Sequence, residues 1–218
     1  MIYILFYVQT GFYTTSGSMG LTDDGYALQR LAYAKIALNE FIDSMDSQDY
    51  IMSFGFLSTA GPEGNIGDLG TYNNMKTWIS GLTASGQTPL YGAVERAFNA
   101  ITTLKTTNEA NDIYWNYAIV AMTDGAATDD FTSACQLFTG QASLSSDWCN
   151  LNAVLEGTSA FSKSSDIVHL FPIVFGEDKG AIEEKPNLKR MADISSGANF
   201  SADADELTDT YYLISLEL

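Results

Sequence analysis

Positive charge is scarce in this chain of 218 residues. Ten Lys and Arg residues stand against 27 Asp and Glu residues, so the formal net charge is 10 − 27 = −17. A field of this sign repels phosphate backbones and anionic membrane surfaces, and nucleic acid is therefore excluded as a partner. Positively charged surfaces and metal ions remain compatible with the charge, which is mainly a solubility property and says little about mechanism.

Histidine is almost absent, and this restricts enzymatic chemistry. The only histidine, His169, lies inside a predicted strand, where a structural role is expected. A Ser-His-Asp relay would have to use this residue, and the chain has no Gly-x-Ser-x-Gly elbow to supply a nucleophile. Glycine-rich dinucleotide and phosphate-loop motifs are also missing. The sequence predicts a protein that is not an enzyme.

Long apolar runs are missing as well. None reaches the roughly 18 residues that cross a bilayer, and the opening MIYILFYV lacks the basic region and cleavage site of a signal peptide. With 46% apolar residues and only 4 prolines, the composition is that of an ordinary globular protein. We expect residues 1–218 to form a single domain, without a transmembrane segment, that is part of a larger protein or assembly.

The two cysteines, Cys135 and Cys149, leave two alternatives open. A disulfide between them would close a loop of about 15 residues, worth about 3 kcal/mol in the chain-entropy model, and would imply an oxidising compartment. Two unrelated free thiols are the other alternative. Both cysteines lie in one polar loop insertion, at about residues 126–149, and this placement favours the disulfide.

Strand-like apolar runs alternate with helical stripes along the chain. The strand predicted at 167–175 contains Pro172 and is therefore expected to be bulged or close to an edge of its sheet. Residues 61–70 are expected to be a loop with at most a short strand. Strands are predicted at 2–8, 12–15, 50–57, 117–122, 167–175 and 199–201, and helices at 28–45, 72–82, 88–104, 151–163, 186–194 and from about 203 onwards.

This alternation predicts an α/β fold: a doubly wound, mostly parallel sheet covered by helices on both faces. Such sheets bind ligands beyond the carboxyl ends of their strands, where the winding direction reverses. The strand-end loops after residues 14, 57, 122 and 175 are therefore the segments in which a functional site is expected.

Oxygen-bearing side chains occupy these positions. Ser16 and Ser18 follow the first strand, Thr88 opens a helix, and Asp124 follows the central strand. Such a set suits Mg²⁺ or Mn²⁺, which take oxygen ligands, and does not suit zinc. Each residue also has an ordinary alternative: the serines as a turn or helix cap, Thr88 as a helix N-cap, and Asp124 as part of a turn. Asp129 and Asp130 are expected to form a solvated loop face rather than a second ion site.

Three motifs in this order resemble the von Willebrand factor type A domains, whose metal-ion-dependent adhesion site is written Asp-x-Ser-x-Ser, then Thr, then Asp. The segments Thr14-Thr15-Ser16-Gly17-Ser18, Thr88-Pro89-Leu90 and Thr123-Asp124-Gly125 resemble the three elements. The resemblance covers nearly the whole chain, and the pattern over 188–214 is similar to the closing elements of bacterial members. It implies metal at the carboxyl edge of the sheet and protein binding without chemistry.

One position departs from the family pattern, because Thr14 stands where the family has its leading Asp. Gln9-Thr10-Gly11 also replaces the aliphatic residues expected just before it. Losing a carboxylate about 5 Å from the ion, with the ion counted as one unit charge, removes roughly 1 to 3 kcal/mol of binding free energy for effective dielectrics between 80 and 20. Either the ion site is weakened, or this chain keeps the fold without the ion.

Three functions follow from these observations. The first is an adhesion-type module in which Ser16, Ser18, Thr88 and Asp124 present Mg²⁺ or Mn²⁺ to an acidic group of a protein ligand, with specificity supplied by the 126–149 insertion. The second is a structural or assembly domain with an empty metal site. The third, an enzyme or an accessory subunit of one, rests on fold analogy alone. Family habit, the acidic balance and the loop cysteines predict an extracellular or cell-surface location.

Overall fold

The computed structural model describes residues 2–8, 23–55, 60–82, 90–123, 168–175, 188–189, 191–193, 195, 197–202 and 206–217. Within these residues lie six strands and four helices of 11 or more residues. In chain order the elements are β1 Ile2–Val8, α1 Asp23–Ser44, β2 Tyr50–Gly55, β3 Ala60–Asn65, α2 Leu69–Gly81, α3 Leu90–Glu109, β4 Asn116–Thr123, β5 His169–Phe175, β6 Phe200–Ala202 and α4 Leu207–Glu217.

The strands form one sheet in the order β3-β2-β1-β4-β5-β6. The first strand is parallel to both of its neighbours, β2 and β4, and the parallel pairing continues through β5 to β6. Only β3, at one edge, runs antiparallel to its neighbour β2. The order reverses direction between β1 and β4, as in doubly wound sheets. The predicted doubly wound, mostly parallel fold is confirmed.

The sheet separates two apolar layers, and β4 contributes side chains to both. Its residues Tyr117, Ile119 and Ala121 pack with α3, whereas the alternate residues pack with α1, α2 and α4. A strand buried on both faces needs a continuous apolar sequence, and YAIVAM provides one. The prediction that residues 117–122 form a central strand is therefore confirmed.

The apolar residues that predict the first helix from the sequence form its buried side in the structure. Leu31, Ala34, Leu38 and Phe41 recur at helical spacing and are all buried, and Met45 packs beside them from just beyond the helix end. Apolar residues at this spacing cover one side of a helix, so α1 buries this side in the apolar layer that it shares with α2 and α4, and its opposite side is in water.

The edge strand β3 is a strand of ordinary length, whereas the prediction for 61–70 is a loop with at most a short strand. It pairs with β2 over six residues, and the register shifts between Met52 and Phe54. Pro62 lacks an N–H but is tolerated at an edge, where its carbonyl accepts a 2.9 Å hydrogen bond from the Ser53 hydroxyl. The sequence AGPEGN contains none of the residues that favour strands, so pairing with β2 rather than local propensity makes this strand.

The surroundings of Pro172 in β5 distinguish the two alternatives expected for this strand, a bulge or a position near an edge. Pairing with β4 continues in one register from Ala118 opposite His169 to Thr123 opposite Val174, so β5 is not bulged there. The pairing with β6 begins only at Ile173. Pro172 therefore lies where β5 has no described neighbour on its other side, as predicted for a residue near an edge.

Asp43 links α1 to α2. Its carboxylate accepts a 2.5 Å hydrogen bond from the Tyr72 hydroxyl and lies 2.6 Å from the Lys76 ammonium, which also donates to the carbonyl of Asn39. Desolvation raises the pKa of Asp43, but the hydrogen bonds from Lys76 and Tyr72, with the charge of Lys76, bring it below its ordinary value of 3.8. The same contact raises the pKa of Tyr72.

Replacing Lys76 with methionine is expected to lower the melting temperature slightly at pH 7, with a difference that shrinks in acid. Because the folded-state pKa of Asp43 is depressed, its stabilising contribution is present above the unfolded pKa and is lost as pH falls through the folded value. The side chain is half-exposed, so we expect only about 0.2 to 1 kcal/mol. Thermal unfolding of both proteins between pH 7 and pH 3 measures this difference.

The matched control is Lys189→Met, which removes the exposed ion pair between Lys189 and Asp193 within one helical segment. It is expected to change the melting temperature less than Lys76→Met does. A Lys76→Met difference of equal size at pH 7 and pH 3 would show that the charge of Asp43 does not stabilise the α1–α2 contact.

Candidate functional site

The carboxyl ends of β1 and β4 lie side by side at the centre of the sheet. Val8, the last residue of β1, pairs with Met122, and β4 continues for one more residue to Thr123. Winding proceeds in opposite directions from these two strands, so a crevice between the loops that follow them is the position where doubly wound sheets bind ligands.

Helix α3 brings its first turn to the same edge. It ends at Glu109, shortly before β4 begins at the amino edge, and its 20 residues span about 30 Å, so its start lies at the carboxyl edge. Leu90, Tyr91, Ala93 and Val94 are all buried, which means that this first turn is enclosed on every side. A helix start is positively polarised and carries N–H groups without helical partners.

Helix α4 contacts the carboxyl end of β4 through Tyr211. The Tyr211 hydroxyl lies 3.8 Å from the sulfur of Met122, and the Tyr211 ring packs at 5.2 Å from the ring of Phe41 on α1. Complete burial raises the pKa of Tyr211 far above its usual range, so the phenol stays neutral. Tyr211 thereby joins α1 and α4 to the last residues of β4. The sequence does not single out Tyr211, whose only signal is an aromatic position on the apolar side of the last helix.

The predicted site residues lie outside the described residues. This applies to the proposed ion ligands Ser16, Ser18, Thr88 and Asp124 and to Thr14 at the altered position. It also applies to Cys135 and Cys149 with the 126–149 insertion around them, to the helix predicted at 151–163 and to the strand predicted at 12–15. The structure describes their nearest neighbours along the chain at this edge, namely Val8, Leu90 and Thr123.

The part of the chain that the structure describes contains no other candidate centre for a metal ion. Within it, no group of three or more His, Cys, Asp or Glu side chains is placed to hold one. Of the described helices, none combines the length and apolar character needed to cross a bilayer. His169 lies at the start of β5, on the amino side of the strand, away from the carboxyl edge.

The sequence matches no protein-family model and no curated protein sequence. Its structure is similar to solved structures. A von Willebrand factor type A protein from Catenulispora acidiphila superposes with a TM-score of 0.63 at 16% identity, over 98% of this chain and 42% of that one. The pilus adhesin SpaC from Lactobacillus rhamnosus GG gives 0.62 at 12% identity, over 99% of this chain and 30% of that one.

A third similar structure matches nearly end to end. The vWF domain of the type V pili tip protein Mfa5 from Porphyromonas gingivalis gives a TM-score of 0.52 at 10% identity, covering 99% of this chain and 94% of that one. The chain spans less than half the length of the first two proteins. Identities this low establish the architecture alone. Together with the strand order, these structural similarities show that this chain has the von Willebrand factor type A fold.

Proposed function

We propose that this chain is a non-enzymatic protein-binding module that presents a divalent cation, Mg²⁺ or Mn²⁺, to an acidic group of a protein ligand. The ligands in this proposal are Ser16, Ser18, Thr88 and Asp124. The observation that carries it is the pairing of Val8 with Met122, because it makes β1 and β4 neighbours at the point where the strand order reverses.

Chain connectivity supports a position at the carboxyl edge of the sheet for two of the proposed ion ligands. Asp124 directly follows Thr123, so its Cα lies about 3.8 Å from that of a residue at the end of β4. Thr88 precedes Leu90, the first residue of α3, by two positions, which limits the separation of their Cα atoms to about 7 Å. Ser16 and Ser18 are less constrained, because they follow Val8 by eight and ten positions.

The donor set fits a hard cation. Three hydroxyls and one carboxylate supply oxygen ligands, as Mg²⁺ and Mn²⁺ require, and offer neither the nitrogen nor the sulfur that zinc prefers. A bound ion with one carboxylate ligand would remain electron-poor and would attract a carboxylate oxygen of the partner.

We propose that residues 1–218 form one domain. We also propose that the 126–149 insertion, which follows β4 closely in the sequence, determines which protein partner binds.

A second candidate function is a structural or assembly domain that binds no ion and contacts its neighbours through loops. The specific observation in its favour is Thr14, which removes the leading carboxylate of the family motif. Similarity to a pilus adhesin and to a pilus tip protein supports a surface or extracellular location and protein partners for either function.

Removing the only carboxylate of the proposed ligand set is the direct test. Wild-type protein is expected to bind Mg²⁺ and Mn²⁺ in the millimolar range or tighter by calorimetry, with a rise in melting temperature because the ions bind the folded state. Asp124→Ala is expected to lose at least about tenfold in affinity, since the attraction between the carboxylate and the ion is lost.

Glu40→Ala is the matched control, because it removes an exposed carboxylate from α1. It is expected to leave the response to both ions unchanged. If wild-type protein does not respond to either ion at millimolar concentration, the ion-presenting function is wrong and the assembly function takes its place. A response that Asp124→Ala leaves intact would place the ion elsewhere in the molecule.

A further inference from the structure

The amino edge of the sheet, opposite the proposed ion site, carries an exposed aromatic loop. Residues 110–115 connect α3 to β4, and within them Tyr114 is 74% exposed and Ile113 is 39% exposed. The ring of Trp115, the next residue, lies 5.4 Å from that of Tyr50 at the start of β2. We call Tyr50, Glu63, Asp112, Ile113, Tyr114 and Trp115 the aromatic edge.

The loop is held at both ends. At the end of α3 the N–H of Ile113 donates to the carbonyl of Asn108 at 2.9 Å, and Asp112 closes this turn in the left-handed region with φ 58°. On the β4 side the Trp115 ring also packs 6.3 Å from the ring of Tyr117. Tyr114 therefore projects from an anchored loop, and ordering it on binding costs little entropy.

The surroundings of this loop are acidic. Three segments meet at the amino edge: 45–50 leads into β2, 63–69 runs from the end of β3 to the start of α2, and 109–116 runs from the end of α3 to the start of β4. They contain no Lys or Arg. Desolvation and the negative charge of Glu63 raise the pKa of Tyr50, so this carboxylate acts directly on the aromatic edge. The carboxylates in the three segments are those of Asp46, Asp49, Glu63, Asp68, Glu109 and Asp112, and of these Glu109 is paired with Lys105 of α3.

We propose that the aromatic edge is a second docking surface, which binds a basic segment of a protein partner. An arginine or lysine side chain lies over the ring of Tyr114, with its charge beside Asp112 and its aliphatic stem against Ile113. Aromatic faces and carboxylates both attract cations, and long basic side chains cover apolar surface with their stems. The surface is independent of the proposed ion site, which lies at the opposite edge and attracts an acidic group.

The test is a titration of the ¹⁵N-labelled chain with a short peptide of alternating arginine and alanine, followed by amide chemical shifts at low salt. A matched peptide with glutamate in place of arginine is the negative probe. We expect shifts at 109–116 and at Glu63 with the arginine peptide only. Tyr114→Ala is expected to weaken binding about three- to tenfold, and Asp112→Asn, which still suits a left-handed turn, about two- to fivefold.

Two control variants distinguish binding at the aromatic edge from the general attraction of a basic peptide to an acidic protein. Tyr212→Ala removes a tyrosine of α4 that is 58% exposed, and Glu40→Gln removes an exposed charge from α1. Both are expected to leave the dissociation constant unchanged. Shifts spread over the whole surface or confined to the carboxyl edge would overturn the proposal, and so would an equal loss of affinity in Tyr114→Ala and Tyr212→Ala.

Discussion

Replacing Thr14 with aspartate is expected to tighten Mg²⁺ binding about five- to two-hundredfold. The added carboxylate would lie about 5 Å from the ion, where two unit charges attract by roughly 1 to 3 kcal/mol for effective dielectrics between 80 and 20. The change restores the leading Asp of the motif that residues 14–18 resemble. Calorimetric titration of wild-type protein and Thr14→Asp with Mg²⁺, and then with Mn²⁺, measures the gain.

Thr15→Asp provides the matched control, because it adds the same charge one residue further along. The acidity of the chain increases equally in both variants, so general attraction of cations cancels in the comparison. A much smaller gain is expected for Thr15→Asp, whose side chain has a different position in the motif. Equal affinities of the two variants would show that residue 14 does not hold the position of the family's first ligand, and no gain in either would favour the assembly function.

The parts of the fold that the sequence predicted are those in which local pattern and tertiary burial agree. The stripe of α1 and the continuous apolar run of β4 each have one arrangement that removes their apolar side chains from water. The alternation of strands and helices along the chain then predicts a parallel sheet, because crossovers between parallel strands are right-handed and place helices on both faces.

The parts that the sequence did not predict depend on pairing and capping contacts that the pattern of apolar residues does not encode. Strand β3 has a poor local strand sequence and forms because β2 offers a free edge, and α2 begins at Leu69 because Asp68 accepts a hydrogen bond from the N–H of Gly70 at 2.8 Å. Neither Tyr211 behind Met122 nor Tyr114 at the amino edge carries a pattern that distinguishes it from other tyrosines. Their positions follow only from packing in three dimensions.

The sequence predicts an edge of the sheet for the candidate site from general rules of the fold, whereas its set of ligands depends on finer chemistry. Residues that follow β1 and β4 were expected to share an edge, and the pairing of Val8 with Met122 supports that expectation. Whether hydroxyls at positions 16, 18 and 88 bind an ion depends on differences of a few kcal/mol, to which hydrophobic periodicity is insensitive. Thr14 illustrates this, because its replacement of one carboxylate leaves the fold pattern intact while changing the expected affinity.

The corner at residues 195 and 197 shows how one helical segment is fixed against β5. The buried Ser195 hydroxyl accepts a 3.0 Å hydrogen bond from the N–H of Leu170 and donates to the carbonyl of Met191 at 2.9 Å. The N–H of Gly197 donates to the carbonyl of Ala192 at 3.0 Å and closes the turn after this segment. The chain therefore passes directly over the backbone of β5.

Gly197→Ala is expected to destabilise the fold by about 3 kcal/mol or more. A Cβ at this position would lie 2.0 Å from the carbonyl oxygen of Leu170 and 2.7 Å from its carbonyl carbon, much closer than atoms approach in folded proteins. The clash is with backbone, and Leu170 cannot withdraw easily because it pairs with Ile119 in β4 and is held by Ser195. Thermal unfolding should show a melting temperature lower by about 6 °C or more.

Gly81→Ala is the matched substitution, because a Cβ at the end of α2 would meet nothing within 4 Å. It is expected to leave stability unchanged or raise it by up to about 1 kcal/mol, since alanine restricts the unfolded chain more than glycine does. If Gly197→Ala proves too unstable to purify while Gly81→Ala is obtained normally, the close approach at Leu170 is supported. If both variants melt together with the wild type, the chain does not pass this close to β5.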